Sequence, residues 1–138
     1  LSSSSAASDV YKRQPLIPSA RIVPNMSDDE RFQNLTLRPI LKLQNDLFLA
    51  SFQNYIKKMK NTFYELKLEK RLDYVTKAIQ KDIKFRNSLK GMIIGQFTVD
   101  EYEIYIQNSS ALNKRMMNMV IKRIQDQIQY FEKLELVQ

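Results

Sequence analysis

Two glycines and four prolines are all that this 138-residue chain possesses of the strongest turn-making residues. Three of the prolines, Pro15, Pro18 and Pro24, stand within the first 24 positions, so only Pro39, Gly91 and Gly95 punctuate the rest. Sheets and barrels need a turn every few residues, and turns draw on glycine for positive φ and on proline for a preset φ. A chain so poor in both reads as all helix. The 43% hydrophobic content is enough for a core at this length. No apolar run approaches the roughly 18–20 residues of a membrane span, so a soluble, cytoplasmic protein with no membrane partner is expected.

The chain has no His and no Cys. Ser-His-Asp and Cys-His nucleophilic sites, Cys/His zinc sites, disulfides and thiol redox chemistry are therefore excluded, and any metal would have to be held by carboxylates. Neither a cofactor nor a metal is expected.

Residues 1–14, LSSSSAASDVYKRQ, show no apolar period and resemble a non-native, adaptor-like segment. Residues 15–26 read as an extended, proline-containing arm that buries Ile17, Ile22 or Val23. A helical domain over 27–138 is predicted to open at Ser27, which has the S-x-x-E form of a capping box with Glu30. Pro39 should kink or restart this helix, whose second piece runs to about Lys60 with Ile40, Leu43, Leu47, Phe48, Phe52, Tyr55, Ile56 and Met59 on one face. Thr62 and Glu65 offer a second capping box. From Leu68 to Ile94 a single amphipathic helix is predicted, with Leu68, Leu72, Val75, Ile79, Ile83 and Ile93 on its core side. Gly91 then marks a break or a close helix approach, and Gly95 the helix stop. Thr98 and Glu101 form a third capping box, with Phe97 and Tyr102 placed as a hydrophobic staple. After a stop and restart at Asn108-Ser109-Ser110, a long C-terminal helix should run from about Ala111 to Leu134. The fold expected is an all-α, single-domain bundle of four or five helices, with Leu43, Leu47, Phe52, Leu72, Ile79, Ile83, Val120, Ile124 and Ile128 in the core.

Charge is concentrated. Residues 57–90 carry eleven Lys and Arg against four acids, while the formal charge of the whole chain is +7. Lys70, Lys77, Lys81 and Lys84 fall on the polar side of the predicted helix, and such a stripe can neutralise several phosphates and release their counterions. They are the candidate polyanion-contact residues, with Tyr74 on the same side; a solvated helix face is the competing reading. Gly91, Gly95, Phe97 and Tyr102 form a candidate interaction or packing segment. The acidic groups Asp28-Asp29-Glu30 and Asp100-Glu101-Glu103 lie in first helical turns, where the dipole favours acids, and lack calcium-loop spacing. Met116, Met117 and Met119 suit adaptable packing or a partner groove.

The stretches LTLRPILKLQNDLFLASFQNYI (35–56) and IQKDIKFRNSLKGMIIGQFTVDEYEIYIQNSSALNKRMMNMV (79–120), with their LRP, QKD, LKG, IIGxFT and NKR spots, resemble a small family of bacterial helical proteins that often carry the name glyoxalase. The resemblance spans residues 15 to about 131 and implies family membership rather than a mechanism. Glyoxalases of the lyase type use βαβββ units and His, Glu and Gln ligands, and no position of this sequence matches such a motif.

The reading favoured is a non-catalytic cytoplasmic interaction or adaptor protein whose basic hairpin, 57–90, binds RNA or another polyanion. A glyoxalase-named enzyme is the first alternative, with Tyr102, Tyr105, Glu101 and Lys90 as acid–base candidates. A homodimeric helical protein, pairing through Leu112, Met116, Met117, Met119 and Val120, is the second.

Overall fold

The computed structural model describes residues 27–132. The adaptor-like segment, the proline arm with Ile17, Ile22 and Val23, and the expected end of the last helix at Leu134 lie outside the described residues. Among those described there is no strand, and the protein is all-α. Seven α-helices are present: α1 (Asp28–Phe32), α2 (Arg38–Leu43), α3 (Asn45–Lys58), α4 (Leu68–Lys81), α5 (Ile83–Ile94), α6 (Val99–Ile106) and α7 (Ser109–Asp126). A π-helical turn, Gln33–Leu37, joins α1 to α2, and a 3-10 turn, Thr62–Glu65, precedes α4.

There are more helices than the four or five predicted because two expected helices are broken by single residues. Gln44, at φ −94° and ψ 10°, separates α2 from α3. Asp82, in extended conformation, separates α4 from α5. Each break resets the 100° phase of the helix that follows, so residues placed in the core by counting through it land on the surface. Leu47 and Ile83, which follow the breaks, are 44% and 68% exposed, whereas Phe48, Leu49 and Phe85 are buried; Leu43, the last residue before Gln44, is 39% exposed because Ile40 and Leu41 take the buried side of its short helix. Leu68, on the opening turn of α4, is also exposed, and Leu72 is half-buried. Phe52, Ile79, Val120, Ile124 and Ile128 are buried as expected.

The described residues form two compact units. The first comprises residues 27–44 and 90–116. Ser27 caps α1 by accepting the Glu30 amide at 3.1 Å. Pro39 occupies the first turn of α2, as its missing N–H allows. The π turn lies immediately before it, where the Arg38 amide donates to the Gln33 carbonyl five residues back. This wider register relieves the crowding that a proline ring imposes on the preceding turn. The capping box of α6 is complete: Glu101 N–H donates to Thr98 Oγ1 at 3.1 Å, and Thr98 N–H to Glu101 Oε1 at 2.8 Å. The other Glu101 oxygen accepts from the buried Thr36 hydroxyl at 3.2 Å, which ties α6 to the π turn. Asn108 Nδ2 grips both Asp29 oxygens, at 3.0 and 2.9 Å, and the Phe32 and Phe97 rings meet edge to face at 5.5 Å. Asp29 and Glu101 thus serve as tethers between elements.

The second unit comprises residues 45–89 and 117–132. Phe48, Phe52, Ile56, Phe63, Val75, Ile79, Leu89, Val120, Ile124 and Phe131 are its largely solvent-free core. Gln125 Nε2 reaches across to α4, donating to the Leu72 carbonyl and to Thr76 Oγ1, each at 2.9 Å. The last predicted helix is interrupted: α7 stops at Asp126, and residues 129–132 are helical again. At the break Asn45 and Gln127 exchange amide hydrogen bonds of 2.9 and 2.6 Å.

Thr62 and Glu65 do not form a capping box. Asn61 is the residue before the 3-10 turn, and it and Lys60 both adopt positive φ, 62° and 63°. Thr62 Oγ1 instead donates back to the Met59 carbonyl at 3.3 Å. Gly91 neither breaks its helix nor admits another backbone, since a Cβ there would meet nothing within 4 Å. Gly95 follows the end of α5 without positive φ, and a Cβ there would lie 3.0 Å from the Gly91 carbonyl. Leu112, Met116, Met117 and Val120 are buried and Met119 is half-buried.

Candidate polyanion-binding groove

Within the second unit α3, the 3-10 turn, α4 and the start of α5 enclose an open groove of about 980 Å³. Lys70, Lys77, Lys81 and Lys84 all line it. On α4 the spacing of seven and four residues keeps the first three lysines within about 40° of one another. Lys84 lies beyond the break at Asp82, yet the turn there keeps it on the same groove. All four residues are exposed.

The break has a local cause. Asp82 Oδ1 accepts the Phe85 amide at 3.2 Å, the bond by which an N-cap side chain starts a helix three residues on. Its Oδ2 accepts the Tyr55 hydroxyl at 3.2 Å, which links α3 to the junction of α4 and α5. Phe85 then stacks on Tyr55 at 4.4 Å between centroids. Burial first, and the Asp82 carboxylate second, push the Tyr55 hydroxyl from 10.0 up to about 12. Burial also raises Tyr74. Both therefore stay neutral hydrogen-bonding groups near neutral pH and add no negative charge to the groove.

Two acids share the lining with the four lysines. Asp73 pairs with Lys77 at 2.8 Å, and this hydrogen bond holds its carboxyl below the usual carboxylate value. Both partners are about half exposed, so the pair is a solvent-screened surface contact. Asp82 is occupied by Tyr55 and the Phe85 amide. The remaining lining includes Tyr55, Met59, Leu66, Tyr74, Ala78 and Ile83, which makes the groove cationic in charge and apolar in much of its surface.

Beneath it Phe52 touches Phe63, Phe131 and Tyr74 at centroid distances of 5.7, 5.2 and 6.2 Å. Arg71 props the turn that walls one end. Its guanidinium lies 5.2 Å from the Phe63 ring centre and donates to the carbonyls of Leu66 and Tyr64, each at 2.9 Å. Only 8% of Arg71 is exposed, so this cation is structural rather than part of the lysine stripe.

Sequence reasoning identified the four lysines and Tyr74 but missed Tyr55, Asp82 and Arg71. An aspartate four residues before a lost apolar phase is a cap signal that could have located the break. The segment Gly91, Gly95, Phe97 and Tyr102 belongs to the first unit and contributes nothing to the groove lining. Phe97 lies against Phe32 and Tyr105, while Tyr102 is 47% exposed. Of the acid–base candidates, Tyr105 is buried with its hydroxyl on Asn113, and Glu101 is engaged by Thr36 and Thr98. Among the described residues no three acidic side chains converge on a metal-sized site, and no helix is long and apolar enough to cross a membrane. Comparison with protein-family models, with curated proteins and with solved structures finds no match.

Proposed function

We propose that this protein is a non-catalytic, cytoplasmic interaction protein that binds RNA through the lysine-lined groove. The observation that carries the reading is the convergence of Lys70, Lys77, Lys81 and Lys84 on one open groove, although the helix break at Asp82 separates the last from the others. Of the two acids beside them, Asp82 is turned to a helix amide and a tyrosine hydroxyl. Phosphates that bind lysines displace condensed counterions, so affinity falls linearly with salt on a double logarithmic plot. Titrating RNA at a series of salt concentrations tests this. Replacing all four lysines by Gln should flatten the slope by roughly 0.7 per lost contact, about 3 in total. An unchanged slope rejects the groove as the phosphate-binding surface.

A further inference from the structure

We propose that the groove accepts unpaired RNA and discriminates against duplex, seating bases against its apolar lining while the lysines hold the flanking phosphates; this rests on the RNA reading above. The four lysines border an open groove of about 980 Å³ whose lining also carries apolar side chains. Tyr55, Tyr74 and Leu66 are half-buried in its lining, while Met59 and Ile83 remain 41% and 68% exposed within it.

An A-form duplex covers little of that surface. Its bases are stacked on one another, its major groove is deep and narrow, and it presents mainly phosphates and 2′-hydroxyls to a protein. Docking a duplex would engage the lysines and leave the apolar lining wet. An unpaired strand carries both chemistries at once, a line of phosphates and a series of flat apolar faces that stack without regard to sequence. Tyr74 suits that role better than Tyr55, whose ring is already stacked on Phe85: it lines the groove half-buried and keeps a neutral hydroxyl. Ile83 is where the break at Asp82 matters: the cap that starts α5 resets the helical phase and turns this side chain outward on the groove.

The experiment compares a short poly-uridylate strand with a blunt RNA duplex of equal length, both fluorescently labelled, against the full chain at one salt concentration. The parent protein should bind the single strand about tenfold more tightly. Ile83→Gln and Tyr74→Leu should each lower single-strand affinity about fivefold or more and leave duplex affinity unchanged. Ile83 is largely exposed, so its replacement tests the groove without disturbing the core; Tyr74 touches Phe52 and Phe63, and its variant counts only if its thermal transition matches the parent's. Because the chain has seven Tyr and no Trp, tyrosine emission gives a second readout, and it should be quenched by the strand more than by the duplex. Equal affinity for strand and duplex, with Ile83→Gln silent and the four-lysine variant still weakened, would overturn this inference and leave the RNA reading standing. No binding of either probe would overturn both.

Discussion

At the residue scale the junction between Tyr55 and Asp82 has the most consequences for one contact. The hydroxyl, held at about 12 against an ordinary 10.0, binds its proton more tightly in the folded protein than in the unfolded chain. Its contribution to stability is therefore fully present below about pH 10 and is lost as pH rises towards 12. Phenolate absorbance followed against pH should show a late-titrating tyrosine, and urea midpoints should decline across the same window. Asp82→Asn removes the negative neighbour and should bring the late titration part of the way back towards 10.0, because burial is the larger cause of the shift. A full return would mean that the carboxylate alone sets it. Arg71 shows the opposite use of a charged side chain: its two backbone acceptors and the Phe63 face satisfy a cation that the fold encloses. Nothing in the spacing of residues 70–84 distinguishes it from the lysines around it, since its place depends on the turn at residues 59–66 folding back over α4.

At the element scale the helices are set by small local decisions, some announced in the sequence and some not. Thr98 forms both reciprocal bonds of its S/T-x-x-E box, and Ser27 accepts the Glu30 amide, because such bonds form within four residues. Thr62 and Glu65 carry the same letters but sit behind two residues of positive φ, and the turn wins over the box. The two glycines separate in the same way. Gly91 is exposed inside α5 with open space at its Cβ position, so Gly91→Ala should stabilise the protein by up to about 1 kcal/mol through helix propensity. Gly95→Ala should bring no such gain and should lower stability, since its Cβ would press on the Gly91 carbonyl at 3.0 Å. Urea unfolding of the two variants orders them, and a Gly95→Ala protein as stable as Gly91→Ala would show that the end of α5 yields without cost.

At the scale of the whole molecule charge and fold pull in different directions. Eleven of the chain's 22 Lys and Arg crowd into residues 57–90, whose only counterweight is four acids. Like charges on one surface repel at low ionic strength and are screened beyond about 10 Å at 0.1 M salt. The melting temperature should therefore rise from low to moderate salt, and the variant with Lys70, Lys77, Lys81 and Lys84 replaced by Gln should lose most of that dependence while being at least as stable as the parent at low salt. Scanning calorimetry at two salt concentrations checks this. A variant that melts well below the parent would mean that these lysines support the fold, against the expectation that a basic stripe of this kind is maintained for a ligand.

What the sequence determined by itself was the class of fold and the address of the charge. Scarce glycine and proline leave helix as the available way to satisfy the backbone, and a lysine period of seven and four writes a stripe on any helix that carries it. Composition likewise excluded His- and Cys-dependent chemistry without reference to geometry. The tertiary structure decided how the breaks at Gln44 and Asp82 are fixed, because Asp82 caps α5 locally and both residues also take partners far along the chain. Gln44 Nε2 donates to the Met92 carbonyl, and Asp82 accepts from Tyr55. The break at Gln44 moved Leu47 out of the core, and that at Asp82 moved Ile83 out and onto the groove with Lys84. Periodicity is counted along one uninterrupted axis, so a bend fixed by long-range hydrogen bonds is invisible to it.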